Sequence, residues 1–413
     1  MNRAQQPVDD FLIVGGGIGG LATALALRRI GRQVRVLERA PVFSEVGAGI
    51  QLAPNATRLL RSWGLLDLVL AAGTRPRRIV MSDAMTGEDL TSMDLGAEFL
   101  ARYGAPYVVL HRSDLLQSLL DACRAEGVLL ENDRYVTDAT SDAEGVTVDV
   151  AGGLRYRAAV VIAADGLHST LRKHLALDEP IASGYVAYRG ALPISEVSRH
   201  ANLRDVQLYI GPGMHLVQYP VRRGQMYNQV AVFRSDQYLA GDEDWGTVEE
   251  LHRKFDGTCE QVKISVESLW TDQRWPMYDR EPIGNWVSGR IVLLGDAAHP
   301  MLQYLAQGAC QAFEDAAALA AAVSRFAPST PLDPEELDMA LSAYQDARLP
   351  RTARVQRNAR LWGDIWHTDG IGVLLRNVLL SRRTSTEFHE SDWLFADVLN
   401  PEDPASEQAG GAG

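Results

Sequence analysis

The feature that most constrains this chain is a cluster of glycines at residues 15–20, with an apolar run before it and a helical pattern after it. The run at residues 11–14 predicts a strand, and the Ala/Leu-rich stretch at residues 21–30 predicts a helix. A second apolar run at residues 34–37 is followed directly by Glu38. This order of strand, glycine turn, helix, strand and acid is the context that a dinucleotide-binding fingerprint requires.

Each glycine of the cluster has a separate physical purpose. Gly15 permits a tight turn, Gly17 lets backbone N–H groups approach a pyrophosphate, and Gly20 lets the helix pack closely on the strand. The pyrophosphate would lie at the positive N-terminus of the helix, and Glu38 would accept hydrogen bonds from ribose hydroxyls. The fingerprint therefore predicts a bound dinucleotide, but it identifies neither the dinucleotide nor the reaction.

Composition and charge narrow the classes of protein that are possible. The 413 residues allow two or three domains, and the net charge of −13 argues against a nucleic-acid binder and against an anionic membrane surface. Cys123, Cys259 and Cys310 have no metal-binding or redox spacing, and their small, odd number fits a reducing compartment. The polar N-terminus has no signal-peptide pattern, and no apolar run approaches the ~18 residues of a membrane span. We therefore expect a cytoplasmic protein without a metal site.

The pattern beyond residue 40 alternates helices with strands and so predicts an α/β protein. Residues 42–55 are rich in glycine, including Gly49, which is typical of a loop that approaches a ligand but also of a plain connection. Helices are predicted at residues 57–72, 114–126 (with Ser113 as the N-cap), 308–326 and 333–360. Strands are predicted at residues 128–130, 146–150, 160–164, 206–210, 214–221, 226–233, 262–266 and 290–294.

We interpret this order as a Rossmann-like domain that is interrupted by an inserted β-sheet domain and followed by C-terminal helices. The predicted divisions are a first dinucleotide-binding part at 1–180, a β-sheet substrate domain at 181–275, a return segment of the first domain at 276–330, a helical segment at 331–400 and a disordered tail at 401–413.

Two further motifs identify a family. Asp165-Gly-Leu-His-Ser-Thr-Leu-Arg172 follows one predicted strand, and Gly295-Asp296-Ala-Ala-His-Pro follows another. Together with the glycine fingerprint, in this order and spacing, they resemble the FAD-dependent aromatic hydroxylases, which are single-component flavoprotein monooxygenases. Only one fingerprint is present, so a pyridine nucleotide would bind without a Rossmann domain of its own. That matches this family and disfavours the two-fingerprint disulfide reductases and Baeyer–Villiger enzymes.

The resemblance implies a para-hydroxybenzoate hydroxylase-like fold, a tightly but non-covalently bound FAD, a transient NADH (with NADPH as the alternative) and a homodimer. It implies that the cofactor site contains Gly15, Gly17, Gly20, Glu38, Arg39, Gly49, Arg112, Asp165, Arg172, Gly295, Asp296 and Gly308. Asp165 would support both FAD and NAD(P)H, although Asp165 and Arg172 could instead be only a helix-capping and salt-bridge pair. The helix N-terminus near Gly308 would stabilise the negative charge of reduced flavin.

The late segment departs from the usual family pattern and narrows the substrate. Gln303, Ala306 and Cys310 stand where the family commonly has proline, glycine and asparagine. Together with Met214-His215-Leu-Val-Gln-Tyr219-Pro, this segment resembles the branch of the family that hydroxylates 3-hydroxybenzoate para to its hydroxyl and so forms 2,5-dihydroxybenzoate (gentisate) with O2 as the oxidant.

The resemblance also suggests roles at the substrate. A phenol with a pKa of ~10 needs a base or a polarising group before its ring becomes strongly nucleophilic, and a histidine can provide either. The residue alone favours a satisfied histidine of a sheet, but the resemblance around it favours function, and we expect His215 to take that role. By the resemblance Gln303 would share the hydrogen bonding to the hydroxyl and Tyr219 would orient the ring or carboxylate. Arg189 is the candidate partner for the carboxylate.

Four other functions remain open at this point, one of which is hydroxylation of another hydroxylated aromatic compound. A salicylate 1-hydroxylase would form catechol, and the sequence Gln303-Tyr-Leu-Ala306 argues against it. An FAD oxidase or dehydrogenase would not insert oxygen, and such an enzyme has no evident use for a phenol-activating histidine and glutamine. A flavin-binding regulator is disfavoured by the negative charge and the absence of a DNA-binding motif.

Overall fold

The computed structural model describes residues 9–44, 47–197 and 201–396, so the predicted tail at 401–413 lies outside the described residues. The strands are β1 (Asp9–Val14), β2 (Val34–Leu37), β3 (Gly49–Leu52), β4 (Arg78–Asp83), β5 (Asp89–Asp94), β6 (Val108–His111), β7 (Leu129–Glu131), β8 (Val136–Asp142), β9 (Gly145–Val150), β10 (Leu154–Ala163), β11 (Ile181–Pro193), β12 (Val206–Gly211), β13 (Met214–Val221), β14 (Met226–Arg234), β15 (Trp275–Asp279), β16 (Val287–Ser288) and β17 (Ile291–Leu293).

The helices lie mainly in the first and last thirds of the chain. They are α1 (Ile18–Arg29), α2 (Pro54–Ser62), α3 (Leu66–Ala72), α4 (Ala97–Tyr103), α5 (Arg112–Ala125), α6 (Asp236–Ala240), α7 (Val248–Phe255), α8 (Glu260–Glu267), α9 (Gly308–Phe326), α10 (Pro334–Trp366), α11 (Ile371–Leu380) and α12 (Asp392–Phe395). Short 3₁₀ helices lie at Arg172–His174, Ile194–Glu196, Arg222–Gly224, Gly295–Ala297, Gln303–Leu305 and His389–Ser391.

The first sheet is largely parallel and forms the centre of the dinucleotide-binding part. Its strands run in the order β16-β17-β10-β1-β2-β7, and β9 and β8 extend it from β10. Phe11 pairs with Val34 on one side and with Val160 on the other, and all three are buried. Helices α1 and α9 pack together against this sheet, which explains why its strands are continuous apolar runs. The return of the chain to this sheet at β17 was predicted from the apolar run at residues 290–294.

The second sheet has seven strands in the order β15-β11-β14-β13-β12-β4-β5. Four of these strands, β11 to β14, come from the predicted substrate domain, while β4 and β5 come from residues 78–94 and β15 begins at Trp275. The sheet therefore combines strands of the predicted first part at 1–180 with strands of the predicted substrate domain. The domain boundaries themselves stay a prediction.

Two predicted elements differ from the structure. Residues 57–72 form two helices, α2 and α3, because the chain turns at Gly64 with a φ of 62° between them. Residues 262–266 lie in helix α8 and not in a strand, and Val262 and Val266 are buried one helical turn apart. A short apolar pattern of this kind fits a helix as well as a strand, and packing decides between them.

Three boundaries also differ from the prediction. Helix α5 begins at Arg112 with His111 as its N-cap, and the Ser113 hydroxyl is 2.6 Å from Nδ1 of His111 instead of capping the helix. The glycine-rich stretch at 42–55 includes strand β3, which pairs with β6. Helix α10 runs six residues beyond the predicted end to Trp366. Among the described residues, no helix is both long enough and apolar enough to cross a lipid bilayer.

Candidate active site

A cavity of about 940 Å³ lies between the two sheets and is lined by residues of both. The glycine turn after β1 and the end of β2 form one part of its wall, and the inner face of the seven-stranded sheet forms another. The chain from β17 to the start of α9 and the C-terminal end of α10 close the remaining sides. Because one continuous space joins the fingerprint to the sheet face, a large ligand bound at the fingerprint can reach the sheet.

The glycine fingerprint has the geometry that its sequence predicts. Gly15 has a φ of 108°, and a Cβ at this position would lie 2.3 Å from the carbonyl oxygen of Ala164. A Cβ on Gly20 would lie 2.0 Å from the carbonyl oxygen of Gly15, so only glycine lets α1 approach the turn. Gly17 is the N-cap of α1 and lines the cavity, whereas Gly20 packs behind the described cavity wall. The N-terminus of α1 is thereby presented to the cavity, where it favours an anionic group.

Glu38 and Arg39 line the cavity at the end of β2. The two carboxylate oxygens of Glu38 accept hydrogen bonds from the backbone N–H groups of Gly16 (2.7 Å) and Ala40 (2.8 Å). These bonds fix the carboxylate beside the glycine turn, and each oxygen has a second lone pair with which to accept another donor. The position suits ribose hydroxyl groups, as the fingerprint predicts.

Asp165 lies in the cavity wall directly after β10. Its Oδ2 accepts a hydrogen bond from the backbone N–H of Thr170 at 2.7 Å, while its Oδ1 is buried and has no partner among the described residues. Burial raises the pKa of this carboxyl group. A buried acceptor without a donor is costly, so the arrangement suits a ligand that brings a hydroxyl or N–H group.

Arg172 does not take the expected place at the cofactor. Its side chain is 2% exposed and lies outside the described cavity wall. Its guanidinium pairs with Asp178 at 2.8 and 2.9 Å, instead of with Asp165, and donates to the carbonyl oxygens of Ala297 and Ala298 at 2.8 Å each. Arg172 therefore supports the chain just after Gly295 and Asp296 from behind. The ion-pair partner of Arg172, Asp178, lies six residues further along the chain and outside the motif. The motif alone therefore does not reveal this pairing.

The loop that carries Gly295 and Asp296 is held by a buried ionic network. Oδ2 of Asp315 accepts from the backbone N–H of Gly295 at 3.0 Å and lies 2.6 Å from Nε2 of His299, and Oδ1 of Asp315 accepts from Arg348 at 2.7 Å. Burial raises the pKa of the Asp315 carboxyl, but His299 and Arg348 outweigh burial and lower it overall. The network fixes the loop so that Gly295 and Asp296 line the cavity.

Three other expected cofactor residues, Gly49, Arg112 and Gly308, also line the cavity. Gly49 is needed for close packing, because a Cβ there would lie 2.5 Å from the ring of Tyr219 and 2.7 Å from the Asn228 side chain. Gly308 is the first residue of the 19-residue helix α9, whose N-terminus therefore faces the cavity. With the glycine cradle, the fixed Glu38 carboxylate and the orphaned Asp165 oxygen, these features fit the adenosine, pyrophosphate and flavin parts of FAD.

The expected phenol-activating residue, His215, lies on the cavity side of strand β13 and is 1% exposed. Its Nδ1 is 2.8 Å from Nε2 of His367, so the other ring nitrogen, Nε2, is the one available to a ligand. The rings of Tyr304 and Trp366 surround it, with centroids at 5.5 and 5.3 Å. Burial, and then the neighbouring His367, hold the pKa of His215 well below its ordinary value, so the imidazole is neutral at neutral pH.

The other expected substrate residues line the same cavity but do not all meet His215. Tyr219 lies on the same face of β13, four residues and about 13 Å further along the backbone. Arg189 lies on β11, two strands away from β13, and is in register with Val217. It is therefore about 7 Å along the strands and about 10 Å across the sheet from His215. Gln303 is exposed at the start of a 3₁₀ helix, and it is the next residue, Tyr304, whose ring contacts His215.

Sequence reasoning missed His367, Trp366 and Tyr304. His367 is the C-cap of α10, 152 residues from His215, and the predicted helix stopped at residue 360. Tyr304 was visible inside the unusual late segment, but no periodic signal marked it as the residue that faces the histidine. A better prediction of the end of α10 could have pointed to Trp366 and His367, because a histidine just past a helix C-terminus is a common capping arrangement.

Comparison with known proteins agrees with this geometry. The sequence model of the family described as FAD binding domain matches residues 9–359. The chain is 38% identical over 404 residues to 3-hydroxybenzoate 6-hydroxylase of Polaromonas naphthalenivorans (strain CJ2), covering 95% of this chain and 96% of the relative. It is 36% identical over 390 residues to 3-hydroxybenzoate 6-hydroxylase of Klebsiella oxytoca, covering 93% and 96%.

The fold is similar to solved structures as well. A crystal structure of Klebsiella pneumoniae HpxO with FAD and uric acid has a TM-score of 0.79 and 27% identity, and the likeness covers 91% of this chain and 93% of that chain. These comparisons confirm the expected α/β fold and FAD as the expected cofactor.

Proposed function

Because this chain belongs to the family of FAD-dependent aromatic monooxygenases, we propose that it hydroxylates 3-hydroxybenzoate at the carbon para to the hydroxyl group and releases 2,5-dihydroxybenzoate. The balanced reaction consumes NADH, a proton and O2 with the substrate, and it yields NAD⁺, water and the product. The names of the relatives at 36–38% identity support the substrate and its site of hydroxylation. NADH as the donor follows the family expectation, with NADPH as the alternative.

The observation that carries the proposal is the placement of His215 on an otherwise mainly apolar cavity wall. Neighbouring inward-facing side chains of the same sheet include Met81, Leu208, Val217 and Val230. An aromatic ring packs well on such a surface, while the buried imidazole of His215 offers one nitrogen to a ring hydroxyl. The arrangement suits a substrate that is flat, apolar on its faces and hydroxylated at one edge.

FAD, when bound, supplies the acceptance of hydride and the activation of oxygen. The residues of this chain bind the substrate, orient its ring and control the charge on its hydroxyl oxygen. A hydrogen bond between Nε2 of His215 and that oxygen stabilises the phenolate form and so makes the para carbon electron-rich. The buried wall around His215 excludes water, which strengthens the bond and protects the reaction from side products.

We propose Arg189 as the partner of the substrate carboxylate. It is a cation in the wall of the substrate part of the cavity, and its guanidinium carbon lies 4.7 Å from the ring centroid of Trp275. Packing on Trp275 holds the guanidinium in place, so a carboxylate that binds it does not have to order a mobile side chain. The separation of Arg189 and His215 on the sheet lets one small aromatic acid bridge them through its two substituents.

Product identification tests the proposal. The purified FAD-loaded protein is incubated with NADH and, separately, with 2-, 3- and 4-hydroxybenzoate, and products are separated by chromatography. We expect 2,5-dihydroxybenzoate from the 3-isomer, with one NADH consumed per product molecule. Catechol from 2-hydroxybenzoate would assign the salicylate reaction instead. Hydrogen peroxide as the sole product with every phenol would contradict a hydroxylase and support an oxidase.

The homodimer implied by the family resemblance remains a proposal. Sedimentation equilibrium of the FAD-loaded protein at several concentrations measures it directly. We expect twice the mass of 45.3 kDa, and a single species of 45.3 kDa at all concentrations would contradict the dimer.

A further inference from the structure

The hydrogen bond between His215 and His367 has a direction, and that direction decides what His215 can do to a substrate. Nδ1 of His215 and Nε2 of His367 are 2.8 Å apart, and the planes of the two rings differ by 18°. Both rings are buried. One proton lies between the two nitrogens, because two bare lone pairs at this distance would repel each other.

The two possible directions differ in where they leave the second N–H group of the pair. If His215 donated the proton, the proton of neutral His367 would be on Nδ1, which is buried and has no hydrogen-bond partner among the described residues. If His367 donates from Nε2, its Nδ1 is a bare acceptor and the remaining N–H group is on Nε2 of His215. That nitrogen is not among the enclosed unpartnered atoms, and the His215 side chain lines the cavity, where a ligand can accept the hydrogen bond. Buried N–H groups without partners are rare in proteins, whereas under-satisfied acceptors are more common. The structure therefore favours His367 as the donor.

His367 is also held in the neutral form. Burial, and then the positive charge of Arg376, lower its pKa to about 3. The ring packs on Tyr185 with centroids 4.5 Å apart, and the backbone carbonyl of His367 accepts from the N–H of Gly213 at 3.0 Å. A neutral ring held on both sides can donate one fixed hydrogen bond, but it cannot readily accept a second proton from His215.

We propose that His367 is a positioning residue that fixes His215 as the tautomer with its proton on Nε2, so that His215 donates a hydrogen bond to the substrate oxygen instead of taking its proton. This inference rests on the proposed function for the identity of the substrate, but the tautomer itself does not depend on it. The substrate O–H bond breaks by transfer of its proton to solvent water as the substrate enters the cavity, and the resulting phenolate oxygen accepts the N–H of His215. His215 is then a stabiliser of the phenolate and not its general base.

The charged and titratable groups around the pair are compatible with this assignment. No carboxylate in the described part of the chain hydrogen-bonds to either imidazole ring, so neither histidine has the partner that would stabilise an imidazolium. The groups that face the pair or its immediate neighbours from the packed elements are Tyr185, Tyr304, Arg376, Asp83, Asp279, Asp364 and Arg234.

The tautomer can be measured without any substrate. The FAD-loaded protein is labelled with ¹⁵N-histidine, and the His215 signals are assigned by comparison with His215→Gln. We expect Nε2 of His215 to carry the proton and Nδ1 to be the bare nitrogen, in ligand-free protein between pH 6 and 9. A proton on Nδ1 of His215, or a doubly protonated ring, would overturn the proposal whether or not the protein hydroxylates 3-hydroxybenzoate.

Proton release on binding tests the consequence for the substrate. 3-Hydroxybenzoate is mixed with the oxidised FAD-loaded protein in weak buffer that contains a pH indicator, and phenolate formation is followed by ultraviolet absorbance. We expect one proton released to the solvent per phenolate formed. Phenolate formation without proton release would show that His215 keeps the proton and would overturn the proposal. No binding of any hydroxybenzoate would instead contradict the proposed function, and the NMR result would still decide the tautomer.

Variants of His367 separate positioning from a merely structural role. His367→Phe keeps a flat ring but removes the donor, and we expect hydroxylation at saturating substrate to slow about tenfold while flavin reduction changes less than twofold. His367→Gln restores an N–H donor, and we expect it to recover most of the rate and the Nε2 tautomer. His252→Phe, at an exposed position of α7, is the matched control. Equal losses in both His367 variants, with an unchanged His215 tautomer, would contradict a positioning role.

Discussion

Replacement of His215 by alanine is the perturbation whose effect the structure defines best. The variant removes the one imidazole that faces the substrate part of the cavity from β13, while the glycine cradle, Glu38 and the Asp296 loop remain in place. We therefore expect the variant to bind FAD and to accept hydride from NADH at a rate within about twofold of the unmodified protein. The loss should fall on the step in which oxygen is transferred to the ring.

The magnitude follows from the hydrogen bond that is lost. A hydrogen bond to a charged oxygen contributes about 1.5–3 kcal/mol, and each 1.36 kcal/mol corresponds to a factor of ten in rate. Loss of the phenolate partner should therefore slow hydroxylation by about 10- to 150-fold. His215→Asn keeps a short N–H donor at the same position, so we expect a smaller loss than in His215→Ala.

Two measurements on the same samples check this prediction. Anaerobic stopped-flow absorbance follows flavin reduction by NADH, and chromatography with peroxide detection measures how much of the NADH consumed leads to hydroxylated product. We expect reduction to be preserved and most reducing equivalents to appear as hydrogen peroxide in His215→Ala. If the rate of hydroxylation and its coupling to NADH consumption are unchanged, the role given to His215 is wrong.

Three further predictions address the cavity wall and the buried network. Arg189→Gln should raise KM for 3-hydroxybenzoate at least tenfold, with a smaller effect on 3-methylphenol, which has no carboxylate. Steady-state kinetics with both compounds measures the two KM values. Equal effects on both would refute Arg189 as the partner of the carboxylate. Gly49→Ala places a methyl group 2.5 Å from the Tyr219 ring, so we expect a loss of about 1–3 kcal/mol in the free energy of unfolding by urea and weaker FAD binding, and unchanged values would contradict the packing argument. Burial raises the pKa of Glu314, but Arg351 and Arg348 outweigh it and lower that pKa to about 2. Because the folded-state pKa lies below the unfolded one, the stability that this group contributes is present above about pH 4.5 and is lost as the pH falls toward 2. In Glu314→Gln, the free energy of unfolding by urea should fall less steeply with decreasing pH. An unaltered dependence of that free energy on pH would contradict the prediction.

The parts of the fold that could be predicted from sequence are those whose cause is local. Gly15 and Gly20 were informative because the space around them excludes any side chain, and the order of strand, turn and helix around them made that visible. The strand prediction for residues 262–266 was wrong because the spacing of Val262 and Val266 fits a helix as well as it fits an apolar strand. The local sequence pattern does not reveal the packing partners that decide between a helix and a strand.

The parts of the site that could not be predicted depend on contacts between distant segments. Arg172 was expected at the cofactor from its motif, but its partners are Asp178 and the carbonyl groups of the Asp296 loop. His215 was found through resemblance, yet its hydrogen-bond partner is His367, 152 residues further along the chain and just beyond the predicted end of a helix. Only the folded chain brings these groups together.

The central claim is that this protein inserts one atom of O2 into 3-hydroxybenzoate. The most direct test is a reaction of the FAD-loaded protein with NADH, 3-hydroxybenzoate and ¹⁸O2, followed by mass spectrometry of the product. We predict 2,5-dihydroxybenzoate that carries one ¹⁸O atom, in its new hydroxyl group. An unlabelled product, or consumption of NADH with no hydroxylated product, would contradict the account.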